Sequence, residues 1–478
     1  MKNKIGIYPG WGTSTHDPLH LKLINILESE HVTYDDINKY GKKSITERIV
    51  VNFIAIFKFL LLNYHRGRRN SIEYRSIIIS HAIIETCIRT HMHGKVYLAS
   101  KKTFNMIKQS IIYIRCCNRC LNEKEVAIVI GGDEAYLQGS ILGQLAVKNN
   151  IPNLFLKQSN NILAGFCFNE KTLYAGPNFN MLKDLVLAQK LDSTIKNKWY
   201  KEIENIVLGK THFSYMRNSN ESAVELSLLE KDFLNGSIVL FLHDFIDSPG
   251  IYGNCVFLDQ WQWINYTVKI LNLKNKKLVI KTHPNANNTN IPAIKLLKEK
   301  YSVNKNILFL DKKISLYLLK QSKIQGVLTL FGSVIVESAF LNIPCISASN
   351  NPFISFDLSY NASSKAAYFK ILSDFCENKL KVKQHLKLQS VYANISTQMI
   401  YNERYLSQII PYDDVDKNTF GEIYNEISDN MSFGANERRE YFLDSDKMKN
   451  YILKKVNEEE ENLRERFFYL MKINKAKN

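Results

Sequence analysis

Between residues 237 and 349, short apolar runs of strand length alternate with helical stretches, and no other feature of the sequence constrains the fold as strongly. Each run is four to six residues long, and the runs lie at Ser237–Leu242, Lys277–Lys281, Ile307–Leu310, Gly326–Leu330 and Pro344–Ser347. Apolar runs of this length are typical of strands that are buried on both faces of a parallel sheet. The sequence therefore predicts a doubly wound α/β lobe, with helices between successive strands.

A second, less complete alternation precedes this region. The segments Lys4–Tyr8 and Val126–Ile130 predict buried strands, Ala135–Lys148 predicts a helix, and Pro152–Phe155 begins another strand. Helical periodicity dominates the sequence between the first two of these strands. The elements predict another α/β lobe, which is richer in helices.

The chain length of 478 residues exceeds that of one ordinary domain. The expected fold class is α/β, with two Rossmann-like, doubly wound lobes that face a cleft and are followed by C-terminal helices. We expect a helix-rich, basic lobe over residues 1–210, a linker over 211–236, a second lobe over 237–410 and charged helices over 411–478.

Positive charge is concentrated in the first lobe. The chain has 63 Lys and Arg against 46 Asp and Glu, a formal net charge of +17. The segment from Lys39 to Glu125 holds 17 of the basic residues and only 5 acidic ones. It lacks the zinc-finger, RNP and helix-turn-helix spacings, so we expect no nucleic-acid partner. A solvated helical face and a face toward an anionic membrane or polymer both stay open.

The apolar segments are too short to span a membrane. The longest, Val50–Leu62, has 13 residues and contains Lys58, whereas a spanning helix needs about 20 apolar residues. The segment Met1–Gly10 lacks the apolar core of a signal peptide. We therefore expect a cytoplasmic protein, either free or attached peripherally to the inner face of the plasma membrane. The C-x-x-C spacing of Cys117 and Cys120 has no second ligand pair, so we expect no metal site.

Three loops that directly follow strands of the second lobe are rich in polar residues. The carboxyl ends of parallel strands meet at one edge of the sheet, where such folds bind ligands. The first loop runs Lys281, Thr282, His283, Pro284, Asn285. Pro284 restricts His283 to extended backbone conformations, and Lys or His can donate hydrogen bonds to phosphate oxygens. The alternative interpretation is a histidine that caps the following segment.

The second loop leads from Thr329 through Gly332 to Ser333, and Glu337 follows one helical turn later on the same face as Ser333. Glycine allows the backbone to approach a ligand closely, and a helix N-terminus directs free N–H groups toward a phosphate. Glu337 can accept hydrogen bonds from ribose hydroxyls. The alternative is an ordinary capping box with a solvent-facing glutamate.

The third loop follows the first strand of the second lobe and contains His243, Asp244, Ser248 and Tyr252. These residue types suit either a ligand-binding loop or a surface turn. Together, the three loops offer cations, backbone amides and ribose acceptors at one sheet edge, and a nucleotide phosphate needs all three. The sequence has no Walker A motif and no clear G-x-G-x-x-G, so an activated sugar or alcohol is favoured over ATP or NAD.

At these residues the second lobe resembles the bacterial capsule and surface-polysaccharide glycosyltransferases of the GT-B type, which are related to Kdo, polysialyl and glycerophospho transferases. The resemblance covers roughly Ser237–Ser349, about a quarter of the chain. It implies that His283 and Ser333 hold the phosphate of a nucleotide-activated donor and that Glu337 binds its ribose. Relatives often have two adjacent hydroxyl residues where this chain has Gly332 and Ser333, so the nucleotide, CMP- or UDP-linked, stays open.

The resemblance further implies a metal-independent enzyme without a cofactor, which moves a sugar onto a growing capsule or lipopolysaccharide glycan or a lipid-linked acceptor. The acceptor hydroxyl then needs a general base. Asp133 follows the clearest strand of the first lobe, and the other candidates are Asp244, Asp17 and His16. Each of these residues suits an ordinary turn equally well. A sugar-nucleotide epimerase of similar fold and a non-catalytic polysaccharide-assembly or binding protein stay open as alternatives.

Overall fold

A computed structural model describes residues 4–8, 30–32, 37, 44–124, 126–131, 135–149, 153–158, 162–166, 183, 187, 193–210, 226–283, 290–310, 314–380 and 383–400. The charged helices expected over 411–478 lie outside the described residues. Within these residues the chain forms two α/β lobes, each around its own sheet. The expected class, α/β with two Rossmann-like lobes, is confirmed.

The described strands of the first lobe are β1 (Lys4–Tyr8), β2 (Glu30–Val32), β3 (Glu73–Tyr74), β4 (Ile77–Ile78), β5 (Val126–Gly131), β6 (Asn153–Gln158) and β7 (Ile162–Phe166). Five of them form a sheet in the order β2-β1-β5-β6-β7. The first four strands of that order run parallel, and β7 pairs antiparallel with β6. The remaining two, β3 and β4, form a short antiparallel hairpin. The expected strands at Lys4, Val126 and Pro152 are therefore present to within a few residues.

The helices of the first lobe are α1 (Ile45–Tyr64), α2 (Ser80–Thr90), α3 (Lys101–Lys124) and α4 (Leu137–Lys148). Ser44 begins α1, because its side chain accepts a hydrogen bond from the backbone N–H of Glu47. On α3, the buried residues Ile107, Ile111 and Ile114 recur every three or four positions and form one apolar face. This face packs into a core that also receives α1, α2 and α4.

The second lobe has the strands β8 (Ile238–Phe241), β9 (Leu278–Lys281), β10 (Ile307–Leu310), β11 (Gly326–Thr329), β12 (Cys345–Ser347) and β13 (Tyr360–Asn361). All described pairs are parallel, and the spatial order is β10-β9-β8-β11-β12-β13. Ile238, Val239 and Leu240 are fully buried, because helices cover both faces of the sheet. This is the strand order of the dinucleotide-binding Rossmann fold, in which the order reverses between the first and fourth strands.

Eight helices are described around the second sheet: α5 (Ser193–Val207), α6 (Leu228–Leu234), α7 (Gln260–Leu273), α8 (Asn290–Tyr301), α9 (Leu316–Gln321), α10 (Val334–Phe340), α11 (Lys365–Cys376) and α12 (Leu386–Ile400). Trp199 and Ile203 of α5 lie in the same buried core as Val239 of β8. The helix α5, which precedes the expected linker at 211–236, thus packs on the second lobe.

The two lobes contact each other through hydrogen bonds. Their backbones also lie close together at this contact. The backbone N–H of Val96 donates to Oδ2 of Asp259 over 2.8 Å, and Nε1 of Trp261 donates to the carbonyl of His93 over 2.7 Å. Gly94 lies against Phe245, so close that a Cβ atom on Gly94 would stand 1.8 Å from the Phe245 carbonyl oxygen. The segment 93–96 therefore fits directly against the second lobe.

None of the described helices has the length and apolarity that crossing a bilayer requires.

Candidate functional site

The carboxyl ends of β8 and β11 lie side by side where the strand order of the second sheet reverses. In sheets of this type the connections on either side of the reversal lead away from each other and leave a crevice, which is the usual ligand site. The three predicted loops follow β8, β9 and β11, and these are three adjacent strands. The structure therefore brings the three loops together, as the sequence predicted.

His243, two residues beyond β8, is fixed on three sides. Its Nε2 atom lies 2.8 Å from Oγ1 of Thr329, and its ring stacks on Phe331 with the centroids 4.2 Å apart. Gln260 holds its backbone, accepting a hydrogen bond from the His243 N–H over 2.8 Å and donating one to its carbonyl over 3.1 Å. The imidazole thus has one orientation relative to the sheet edge.

The surrounding hydrogen bonds determine which nitrogen of His243 carries the proton. The backbone N–H of Gly332 donates to Oγ1 of Thr329 over 3.3 Å, so the Thr329 hydroxyl is free to donate to Nε2. The N–H of Phe331 also points at Nε2, over 3.5 Å. Burial, together with the nearby His283, lowers the pKa of His243 to about 3. The ring is therefore neutral at physiological pH, with its proton on Nδ1.

The Nδ1–H group of His243 has no hydrogen-bond partner among the described residues and can donate to a ligand. Gly332 allows this arrangement, because a Cβ atom there would stand 2.8 Å from Cε1 of the imidazole. The glycine expected to permit close approach of a ligand thus permits close approach of His243.

Lys281 and His283 lie beside His243. Lys281 pairs with Phe241 in the register of β8 and β9, and its buried ammonium group lies 5.5 Å from the centre of the Phe241 ring. Burial lowers the pKa of His283, although the carboxylate of Asp244 raises it. The charge of Lys281 lowers the same pKa further. Neutral imidazoles and one buried ammonium group thus share this edge, so the positive charge of the site comes from Lys281.

Ser333 and Glu337 interact with each other, as their spacing predicted. Oγ of Ser333 donates to Oε1 of Glu337 over 3.1 Å. Ser333 stands at the N-cap of α10, but its side chain makes no capping hydrogen bond to the backbone. Burial raises the pKa of Glu337, whereas this hydrogen bond and the charge of Lys281 lower it. Glu337 therefore lies within electrostatic reach of the cation expected to bind phosphate.

The loop after His243 is partly structural. Oδ1 of Asp244 accepts a hydrogen bond from the backbone N–H of Ile246 over 3.0 Å, which makes an Asx turn. The Tyr252 ring lies 5.7 Å from that of Phe331. The hydroxyl of Ser248 is buried and lacks a hydrogen-bond partner among the described residues. Thr329 is also fully buried, and its hydroxyl contacts His243 rather than solvent.

Five predicted site residues lie outside the described part of the chain: His16, Asp17, Asp133, Pro284 and Asn285. The strands that precede the first three of them are described. Tyr8 and Gly131, the last residues of β1 and β5, are register partners, so both loops leave the same edge of the first sheet. Tyr136, just beyond the loop that contains Asp133, packs against Ile251. This contact places Tyr136, five residues beyond the end of β5, beside the loop that starts at His243.

A buried group of charges at the contact between the lobes was not predicted. Nε and Nη2 of Arg69 lie 2.9 Å from Oε1 of Glu85, and the guanidinium also donates to the carbonyls of Phe257 and Leu258. His81 lies 3.7 Å from the same carboxylate oxygen. Burial and the charge of Arg69 lower the pKa of His81 well below its usual value.

One sequence signal could have pointed to this cluster: Glu85 is the single acidic residue of helix α2 and stands next to the apolar pair Ile83 and Ile84. Its carboxylate meets the second lobe at Gly250. A Cβ atom on Gly250 would stand 2.5 Å from Oε1 of Glu85. Gly250 thus belongs to the contact between the lobes, whereas the neighbouring His243 belongs to the sheet edge.

Among the described residues, no group of three or more His, Cys, Asp and Glu side chains is placed to hold a metal ion. Cys116, Cys117 and Cys120 form no disulfide among the described residues, and all three are buried in the core of the first lobe.

No protein-family model matches the sequence, and no curated protein matches it significantly. Solved structures that are similar to the chain include the KpsC beta Kdo 2,4 transferase of Thermosulfurimonas dismutans, at 9% identity and a TM-score of 0.34, over 56% of this chain and 80% of that one. The UDP-GlcNAc 2-epimerase of Methanocaldococcus jannaschii matches at 14% identity and a TM-score of 0.26, over 84% of this chain and 100% of that one. The MnaA protein of S. aureus, solved with UDP, matches at 12% identity and a TM-score of 0.28, over 86% and 98%. At these identities and scores the likeness assigns neither a family nor an activity to the chain.

Proposed function

We propose that this protein is a glycosyltransferase that binds a nucleotide-activated donor at the carboxyl ends of β8, β9 and β11. The observation that supports the proposal is the placement of polar groups on adjacent strand ends: His243 follows β8 at the reversal, and Lys281 and His283 stand at the end of the neighbouring β9, near enough for His283 to influence His243 electrostatically. A donor phosphate needs hydrogen-bond donors and a cation held in place before it binds. The oriented imidazole of His243, the imidazole of His283 and the buried Lys281 provide them.

The roles follow from the chemistry of each group. Nδ1–H of His243 and the ring of His283 donate to the phosphate oxygens, and Lys281 neutralises the charge that develops as the nucleotide leaves. Glu337, with Ser333 bonded to it, accepts hydrogen bonds from the ribose. No step requires a metal ion, because the leaving phosphate is stabilised by side chains.

In the proposed reaction, the acceptor hydroxyl oxygen attacks the anomeric carbon of the donor sugar. A carbon–oxygen bond forms there, the bond to the nucleotide phosphate breaks, and a carboxylate takes the hydroxyl proton. Asp133 is the first candidate for this base, because it stands three residues before Tyr136, which contacts Ile251 of the loop that starts at His243. Asp244 is the second candidate. It ranks below Asp133 because its carboxylate is already engaged as the acceptor of the Ile246 N–H. The acceptor is a growing capsule or lipopolysaccharide glycan, free or lipid-linked, on the cytoplasmic side.

The test is direct binding of nucleotides to the purified full-length chain, measured by isothermal titration calorimetry with UDP, CMP, GDP and CDP. One nucleotide should bind, and Lys281→Met and His283→Asn should weaken it at least about tenfold, as expected when a charge-assisted hydrogen bond is lost. His385→Asn is the matched control, because His385 is exposed and lies far along the chain from the site. Binding of none of the four, or equal binding by His283→Asn and wild type, would overturn the proposal.

The reaction itself separates the transferase from its alternatives. A transferase releases free nucleotide from its sugar donor at a rate that rises with added glycan acceptor. An epimerase converts the sugar without any acceptor, and a binding protein leaves the donor intact. Product analysis by mass spectrometry and proton NMR distinguishes the three outcomes.

A further inference from the structure

The helix α1 is apolar on both of its sides. Val51, Ala55 and Leu62 are buried against the core of the first lobe. The outward side carries large apolar residues spaced three or four positions apart, which places them on one face. We name this face the α1 stripe; its members are Ile45 (77% exposed), Ile49 (50%), Phe53 (70%), Ile56 (48%), Leu60 (60%) and Tyr64 (80%).

The size of the stripe is unusual for a surface in contact with water. A helix of 20 residues is about 30 Å long, and the stripe runs along its whole length. Soluble proteins seldom expose one continuous apolar patch larger than a few hundred Å², and larger patches usually mark contact sites.

The charges around the stripe are almost all positive. Residues 44–124 contain fourteen Lys and Arg against four Glu and no Asp. Two of those four acids are already neutralised: Glu47 lies within 3.1 Å of Arg115 and 2.8 Å of Arg119, and Glu85 is paired with Arg69. The segment that contains the stripe therefore has ten more basic than acidic residues.

Individual cations lie at the edges of the stripe. The Lys58 ammonium group lies 5.9 Å from the ring centre of the exposed Phe57, so this lysine extends around the helix toward the apolar side. Phe59 of α1 meets Phe104 of α3 edge-to-face, with centroids 5.7 Å apart, and Lys101 lies one turn before Phe104. Exposed Arg48 stands on the first turns of α1. Arg48 and Lys58 thus stand on the same helix as the stripe, and Lys101 lies on the neighbouring helix α3.

We propose that α1 lies in the plane of an anionic lipid bilayer, with the stripe inserted at the boundary between headgroups and acyl chains and the cations on the headgroup phosphates. Apolar burial and attraction to anionic lipid act together in such in-plane helices. A second copy of the chain fits less well, because a symmetric interface would bring two cationic surfaces together. The proposal concerns a different surface from the nucleotide site and does not depend on the proposed reaction.

The experiment is vesicle flotation of the full-length chain. Wild type should float with phosphatidylcholine vesicles that contain phosphatidylglycerol, far less with phosphatidylcholine alone, and less as salt is raised. The double variant Phe53→Ser/Leu60→Ser should lose at least about tenfold in partitioning, because two large apolar side chains no longer insert. The matched control is Leu228→Ser/Leu229→Ser, which removes two side chains that are each 84% exposed on α6 of the second lobe.

Two double variants, each of which removes two positive charges, test the electrostatic part of the proposal. Arg48→Gln/Lys101→Gln should reduce binding to the phosphatidylglycerol vesicles, whereas Lys269→Gln/Lys295→Gln, which removes the same charge from exposed positions in the second lobe, should bind as wild type does. In a Phe53→Trp variant, the tryptophan emission should shift to shorter wavelength on adding these vesicles.

Three results would overturn the proposal. One is the absence of flotation by wild type. Another is equal flotation by the stripe variant and by its control. The third is a wild-type dimer, seen by light scattering, that the stripe variant converts to a monomer without losing vesicle binding, which would assign the stripe to a second copy. Nucleotide affinity, measured on the same variants, should stay unchanged in every case.

Discussion

Nε2 of His243 lies 2.8 Å from the hydroxyl oxygen of Thr329. The contact joins the ends of the neighbouring strands β8 and β11, where the strand order of the second sheet reverses. The two residues are 86 positions apart in the chain. Their contact fixes the imidazole in the tautomer whose N–H faces away from Thr329. A buried threonine at a strand end thus controls which hydrogen bond a neighbouring histidine can offer.

Replacing Thr329 with Val keeps the shape of the side chain and removes the hydroxyl. Nε2 of His243 then loses its best donor, so the ring can protonate at either nitrogen and Nδ1–H is present for only part of the time. We expect nucleotide affinity to fall roughly fivefold to tenfold, in line with about 1 kcal/mol for one hydrogen bond. Calorimetric titration measures the change. Thr329→Ser restores the hydroxyl and should bind nearly as wild type does; equal affinity for all three proteins would contradict the role of Thr329.

The buried His243 makes the folded state sensitive to acid. Its pKa is lowered to about 3 in the folded chain, while an unfolded histidine titrates near 6.5. Between these values the unfolded chain binds a proton that the folded chain does not. Stability should therefore fall as pH decreases through about 6.5, by up to about 1.4 kcal/mol per pH unit.

Urea unfolding at about pH 7 and about pH 5 tests this dependence. The variant His243→Gln, which does not titrate, should show a shallower loss of unfolding free energy than wild type does. His81, His91 and His283, whose pKa values are also lowered by burial, contribute to the slope that remains. An identical slope in the variant would show that His243 ionises as freely in the folded chain as in the unfolded one.

Arg69 neutralises Glu85 at the contact between the lobes. Arg69→Met leaves that carboxylate buried and unpaired, which should destabilise the chain by about 3–5 kcal/mol. Adding Glu85→Gln to the same chain should recover a large part of this loss, because no charge is then left without a partner. Urea denaturation of the four proteins of this double-mutant cycle gives the interaction energy.

Lys370→Met serves as the control for this cycle. Its partner Asp374 lies 2.9 Å away, but the lysine side chain is 77% exposed. Its loss should cost under about 1 kcal/mol. If Arg69→Met were as mild as Lys370→Met, the cluster at Glu85 would not hold the lobes together.

Alanine substitution at Gly94 tests the close contact between the lobes, and alanine substitution at Gly236 is its control. Both have positive φ, +65° and +71°, so an alanine at either position costs about 1–2 kcal/mol in backbone strain. Only at Gly94 would the new Cβ meet another atom, 1.8 Å from the Phe245 carbonyl oxygen. Gly94→Ala should therefore lower the melting temperature well beyond Gly236→Ala. Equal shifts would mean that the lobes separate readily at this point.

The sequence predicted the second sheet well, because its strands are short and buried on both faces. The run Ile307–Leu310 coincides with β10, and the other runs differ from their strands by one or two residues at an end. The positions of the three polar loops followed directly, since parallel strands place their carboxyl ends together. The register of Ser333 and Glu337 also followed from helical spacing, and their hydrogen bond agrees with it.

Contacts that depend on how distant segments meet could not be predicted. Thr329 was expected to face a ligand, but its partner is His243, and the pairing exists only because β8 and β11 are neighbours. Glu85 was not among the predicted site residues, and its neighbours Arg69 and Gly250 belong to two different loops. The roles of Asp133, Asp17 and His16 stay predictions, because these residues lie outside the described part of the chain.

The stretch from His243 to Leu258 belongs to both lobes at once. Its first residue forms the sheet edge, Gly250 meets Glu85, and the carbonyl of Leu258 accepts from Arg69. The two lobes are therefore not interchangeable modules. A hybrid protein that takes its second lobe from a relative must also have residues at positions 69, 85 and 94 that match the new lobe. Otherwise the contact between the two lobes will not form.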